Sequence, residues 1–109
     1  MKQMDIVLLP YPFSDLSNTK IRPALIISND NINKISQDCI MVPLTTVLKN
    51  EPYSINITQV DFENGQLIKP SRIKVDKIIA VKQSLIIKKI GTLSSNKFNE
   101  VKEKLNSLF

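Results

Sequence analysis

The chain has no histidine and no tryptophan, one cysteine, two glycines and no long apolar run. Each absence removes a class of function. Without histidine, the usual general base and the commonest metal ligand are both missing. There is also no Cys-x-x-Cys pair, no glycine-rich phosphate loop and no carboxylate cluster at metal-ligand spacing. Metal-dependent nucleases and histidine mechanisms are therefore disfavoured, and no metal or cofactor is expected. The single cysteine, Cys39, permits no intrachain disulfide. It stands in the run Cys39-Ile40-Met41-Val42, where a buried small hydrophobe and a nucleophile are the competing readings. No run reaches the roughly 18 apolar residues of a membrane helix. At the start, Asp5 and Pro10 bracket only Ile6 to Leu9, too little for a signal-peptide core. A soluble, cytoplasmic protein with no membrane partner is expected.

What is present points to a small sheet protein. A length of 109 residues corresponds to one domain over 1–109, able to bury roughly two-thirds of its unfolded surface. The net charge of +5 is unevenly spread. Through residue 60, Lys2, Lys20, Arg22, Lys34 and Lys49 are balanced by Asp5, Asp15, Asp30, Asp38 and Glu51. Between 64 and 92, Lys69, Arg72, Lys74, Lys77, Lys82, Lys88 and Lys89 face only Asp76. Such a surface attracts phosphate backbones or an acidic protein. Lysine-rich strands also simply keep sheet edges soluble.

Asp5–Leu9 reads as a first strand, followed by a proline- and polar-rich loop over Tyr11–Lys20, long enough to be functional. Arg22–Ser28 and Cys39–Leu44 are continuously apolar, the pattern of central strands buried on both faces. Between them, Asn29–Ser36 suits a helical turn. Ser54–Thr58 and Ser71–Val75 alternate, with Arg72 and Lys74 on the wet side of the second. Ile78–Val81 and Lys88–Leu93 add short strands. Phe98, Val101, Leu105 and Leu108 recur at helical spacing behind a Ser94 N-cap, with Glu100 four residues before Lys104. The fold expected is mainly β (α+β): a small, strongly bent sheet or barrel with short helices, closed by a C-terminal amphipathic helix.

Candidate chemistry centres on Arg22. Pro23 biases Arg22 toward an extended conformation, so the pair opens a strand at the boundary between loop and sheet. A sheet-edge cap and a working arginine are both compatible with that position. Arginine, threonine, lysine and aspartate remain as reactive types, and they suffice to cleave RNA. The attacking group is then the substrate's own 2′-hydroxyl, and the protein need only align it and stabilise charge on the phosphorus oxygens. DNA lacks that nucleophile.

The chain resembles the MazF/PemK toxins of type II toxin-antitoxin modules. The likeness is carried by Asp5-Ile6-Val7-Leu8, Phe13-Ser14-Asp15-Leu16-Ser17, Arg22-Pro23-Ala24-Leu25-Ile26-Ile27-Ser28-Asn29-Asp30, Val42-Pro43-Leu44-Thr45, Ile73-Lys74-Val75-Asp76-Lys77-Ile78 and Lys89-Ile90-Gly91-Thr92-Leu93-Ser94. The resemblance implies a bent Src-homology-3-like barrel that forms a homodimer. It also implies metal-independent, sequence-specific cleavage of single-stranded RNA to 2′,3′-cyclic phosphate and 5′-hydroxyl ends, inhibiting translation. The catalytic positions it implies are Arg22 and Thr45, assisted by Lys74 and Asp76. Two departures stand out: Met4 where the family usually has glycine before the first aspartate, and lysine at 74 where arginine is common.

Combining both readings, Asp15, Ser17, Asn18, Thr19 and Lys20 are expected on a loop over the groove. Lys69, Arg72 and Lys77 are expected to hold flanking phosphates, and Phe13 or Tyr11 to stack on a base or to pack internally. Thr45 either donates to a phosphate oxygen or caps backbone. The expected partner is a cognate antitoxin whose acidic, disordered segment occupies the basic groove, with operator DNA bound only by the toxin-antitoxin complex. Two alternatives stay open: a poison of a protein target, as in the related CcdB toxins that trap gyrase, and a non-catalytic nucleic-acid-binding module acting with its antitoxin.

Overall fold

The computed structural model describes residues 1–11 and 20–109. Among the described residues, eight strands are connected in one antiparallel sheet: β1 Asp5–Tyr11, β2 Lys20–Ile26, β3 Asp38–Thr45, β4 Ser54–Ile57, β5 Phe62–Gly65, β6 Ser71–Lys74, β7 Ile79–Lys82 and β8 Lys88–Leu93. Their lateral order is β4-β6-β3-β2-β1-β8-β5, with β7 pairing β3 beyond the end of β6. The two continuously apolar segments, β2 and β3, occupy the middle of this order, as expected of strands covered on both sides. β1 runs through Pro10 to Tyr11, and β2 begins at Lys20, so their ladder continues to the Tyr11–Lys20 pair.

Alternation in the central strands divides the core into two clusters. On one side of the sheet lie Ile6, Leu25, Val42, Leu44, Ile55, Ile57, Ile73 and Leu93, closed by Phe98 and Val101 of helix α2, Ser95–Asn106. On the other lie Val7, Leu9, Ala24, Ile26, Cys39, Met41 and Val81, backed by Ile79 and Ile86. The result is a curled, mainly β half-barrel with a helix across one face.

The local signals act largely as the sequence suggests. The Ser94 hydroxyl caps α2 by accepting from the Lys97 amide at 3.2 Å. Asn29 caps the short helix α1, Asp30–Ile35, by accepting from Ile32 N at 2.9 Å. Several details differ from expectation. β1 continues through Pro10 to Tyr11, and β2 runs Lys20–Ile26, so Arg22 lies inside the strand and not at its opening. Leu108 falls beyond the end of α2, and Glu100 pairs with Lys97 at 3.1 Å instead of with Lys104. Lys97 also reaches Asp61 at 3.7 Å, so one lysine bridges the helix to the segment before β5. β5 is an added strand, recorded by the sequence only as Phe-Glu-Asn-Gly with a single buried residue.

Met4 has φ +78, a left-handed conformation that glycine adopts at no steric cost. The backbone therefore takes the geometry a glycine would favour, while the Met4 side chain packs against the main core. The next residue, Asp5, is buried. It accepts from Lys2 N at 2.9 Å and Thr92 Oγ1 at 3.2 Å, and Lys89 Nζ lies 3.3 Å away. This carboxylate ties the start of β1 to β8. Gly65, at φ +86, lies so close to β8 that a Cβ there would sit 2.2 Å from the Ile90 carbonyl oxygen.

Candidate functional site

The register of the central strands sets the site. β1 pairs Leu9 with Arg22, β2 pairs Ala24 with Pro43, and β3 pairs Thr45 with Arg72 of β6. The β2–β3 ladder ends at the Ala24–Pro43 pair; Arg22 and Thr45 stand two residues beyond it, and alternation puts both on the side that carries Leu9 and Ala24. Thr45 and Arg72 pair across the β3–β6 ladder and project to that same side. Arg22, Thr45 and Arg72 thus form a row along one side of three neighbouring strands. Lys74 is the next same-side residue along β6, roughly 7 Å further on.

The members of this row are in different states. Arg22 is half-buried, and its Nε is buried without a hydrogen-bond partner among the described residues. Thr45 is half-buried at the end of β3, with its Oγ1 accepting from the Val47 amide at 3.1 Å. The backbone-capping role is therefore real. It leaves the hydroxyl proton available, because a threonine hydroxyl can accept and donate at once.

Arg72 departs from expectation. It is 3% exposed, not on a wet face. Its Nε donates to the Val47 carbonyl at 3.1 Å and its Nη1 to Glu51 Oε2 at 3.0 Å. The segment after β3 folds across it, which strand alternation does not reveal. Arg72 Nε and Nη1 are thus engaged within the chain, and the side chain is enclosed where a wet face was expected.

Of the other expected site residues, Lys20 is exposed at the start of β2. Asp76 and Lys77 are exposed in the turn after β6, where the Lys77 amide donates to the Lys74 carbonyl at 3.1 Å. Lys69 is exposed on the other side of the sheet, beside a cavity of about 340 Å³ lined also by Leu8, Pro23, Ile68, Lys88 and Ile90. Pro23 and Leu8 pair with each other and point away from the Arg22 side. Asp15, Ser17, Asn18 and Thr19, Phe13 and the Tyr11 side chain lie outside the described residues.

The sequence reading missed Glu51 and Val47. Glu51 carried one signal: it is the only acid between Asp38 and Asp61, ahead of the basic half. Among the described residues no group of three or more histidine, cysteine, aspartate or glutamate side chains could hold a metal ion. No described helix is long and apolar enough to cross a membrane. Cys39, fully buried, has its thiol pushed above the ordinary value mainly by burial, with Asp38 adding to the rise. Raising the pKa diminishes the thiolate, the opposite of what a nucleophile requires.

A family model described as "PemK-like, MazF-like toxin of type II toxin-antitoxin system" matches residues 2–109. No curated protein sequence matches the chain. Among solved structures, MazE-MazF (Form-III) from Deinococcus radiodurans superposes with a TM-score of 0.81 at 18% identity, covering 99% of this chain and 94% of that one. An endoribonuclease in complex with its cognate antitoxin, from a mycobacterial species, gives 0.79 at 19% identity, covering 98% and 92%. The Mycobacterium tuberculosis toxin MazF-mt6 gives 0.75 at 17% identity, covering 94% and 93%. At these identities the superpositions establish the fold.

Proposed function

Because the chain belongs to the PemK-like, MazF-like toxin family of type II toxin-antitoxin systems, we propose that it is a metal-independent endoribonuclease cutting single-stranded RNA at the Arg22–Thr45 row. The observation that carries this reading is a buried guanidinium Nε with no partner among the described residues, on the same side of the sheet as a strand-end hydroxyl. A buried donor without a partner costs about 1–3 kcal/mol, and a phosphate oxygen supplies the missing acceptor.

In this mechanism the RNA 2′-hydroxyl attacks the adjacent phosphorus, the P–O5′ bond breaks, and the products are a 2′,3′-cyclic phosphate and a 5′-hydroxyl. Arg22 stabilises the charge that builds on the non-bridging oxygens. Thr45 donates its free proton to one of them, while the Val47 amide occupies a lone pair of its oxygen. Lys74, on the same side, and Asp76, in the turn beyond it, are the groups proposed to assist proton transfer. Lys20 and Lys77 are exposed cations for flanking phosphates.

The natural regulator under this reading is an antitoxin whose acidic segment competes for the same basic surface, operator DNA being bound by the toxin-antitoxin complex. Support comes from relatives whose structures are described as complexes with MazE or a cognate antitoxin. A homodimer is supported by exposed apolar residues next to site residues in the chain: Ile21 before Arg22, Val47 and Leu48 after Thr45, and Ile78 after Lys77 are each at least 41% exposed.

The deciding experiment maps RNA ends after incubation with purified protein. New 5′-hydroxyl ends at a shared short sequence, formed in EDTA and lost in Arg22→Ala, are expected. Intact RNA with broken DNA in expressing cells would instead indicate a gyrase-type poison. Intact RNA and DNA would indicate a binding module.

A further inference from the structure

We infer that Arg72 is a positioning residue for Thr45, acting through Val47 and not through contact with RNA. The inference rests on the proposed role of Thr45. Residues 46–53, which follow β3, are all exposed, so apolar packing does not fix the start of this segment. Polar contacts do. Arg72 Nε grips the Val47 carbonyl at 3.1 Å, and its Nη1 grips Glu51 at 3.0 Å. The Glu51 carbonyl in turn accepts from Ser54 Oγ at 3.0 Å, at the start of β4. One guanidinium thus pins the segment at two points four residues apart, and Val47, held by its carbonyl, presents its amide to Thr45 Oγ1 at 3.1 Å.

The consequence is directional. With the amide filling a lone pair of the Thr45 oxygen, the hydroxyl rotor is left to aim its proton elsewhere. Thr45 and Arg72 are paired across the ladder, so brace and hydroxyl share one rigid strand pair. The two grips use different nitrogens of a planar fork, a geometry that lysine's single ammonium cannot reproduce. At 3% exposure Arg72 has almost no surface to offer a substrate.

The test compares Thr45→Ala, Arg72→Lys and the double variant by steady-state cleavage of a defined RNA, alongside hydrogen exchange of the Val47 amide. The expected kcat falls about 100-fold in Thr45→Ala. In Arg72→Lys it falls about tenfold with KM unchanged. The double variant should be no slower than Thr45→Ala alone, since the brace acts only through the hydroxyl. Protection of the Val47 amide should drop in Arg72→Lys while the Leu44 and Ile73 amides stay protected, which separates a lost brace from a lost fold. Multiplying defects, a change confined to KM, or unchanged Val47 protection would each overturn the inference while leaving the nuclease reading intact. A Thr45→Ala protein that cleaves at the wild-type rate would overturn both the inference and the role of Thr45.

Discussion

Thr45 is flanked by two arginines on one side of the sheet, and their surroundings differ. On the β6 flank, Arg72 is enclosed, with Nε bonded to a carbonyl and Nη1 to a carboxylate. On the β2 flank, Arg22 is half-buried with Nε sealed from water and no partner among the described residues. Burying a charged group with its partners in place yields a structural strut, whereas burying a donor without one stores an interaction for a ligand. The lesson is that side-chain type does not assign the role here. Whether the buried Nε has an acceptor among the described residues does.

The difference can be broken experimentally. Arg22→Ala should slow RNA cleavage about 1,000-fold, roughly 4 kcal/mol of barrier. Its unfolding free energy in urea should be no lower than that of wild type by more than about 1 kcal/mol, because removing a buried donor with no partner among the described residues relieves its desolvation cost. Arg72→Ala should show the reverse emphasis, losing about 2 kcal/mol of stability as the Val47 carbonyl and Glu51 lose their partner. A large rate defect with no stability loss in Arg72→Ala would exchange the two roles.

Smaller effects sharpen the same contrast. Glu51→Gln should cost less than about 1 kcal/mol by chemical denaturation, because the Glu51 side chain is 47% exposed and its charge is screened. The effect on cleavage should follow Arg72→Ala in direction and be weaker. At the apolar end of the same face, Cys39 should resist alkylation until the protein unfolds. Its raised thiol pKa means the native state holds the proton more tightly than the unfolded chain. Stability is therefore complete below the ordinary thiol value of about 8.5 and declines as pH climbs above it. Urea titrations from pH 7 to 10 should show that decline flattened in Cys39→Ala.

Much of this was legible in sequence, for reasons that mark where legibility ends. Unbroken apolar runs placed β2 and β3 at the centre, because a strand covered on both faces has no need to alternate. Arg22-Pro23 marked an extended strand but not its opening, which lies at Lys20, and Ser94 announced α2. Arg72 was expected on a wet face and is enclosed, because alternation reports which way a side chain points and not what folds over it. The covering segment comes from 25 residues earlier, through Val47. β5 was missed because a strand at the outer position of the sheet, with only Phe62 buried, has almost no pattern to read. Lys97, Asp61 and Glu100 likewise pair through tertiary proximity that helical spacing cannot supply.

The most direct test of the account follows the two guanidinium Nε–H signals by ¹⁵N NMR while a 2′-deoxy-substituted, uncleavable RNA is titrated in. Arg22 Nε–H should move strongly downfield as it gains a phosphate acceptor, and Arg72 Nε–H should stay in place. A shift at Arg72 with Arg22 unmoved would contradict the account.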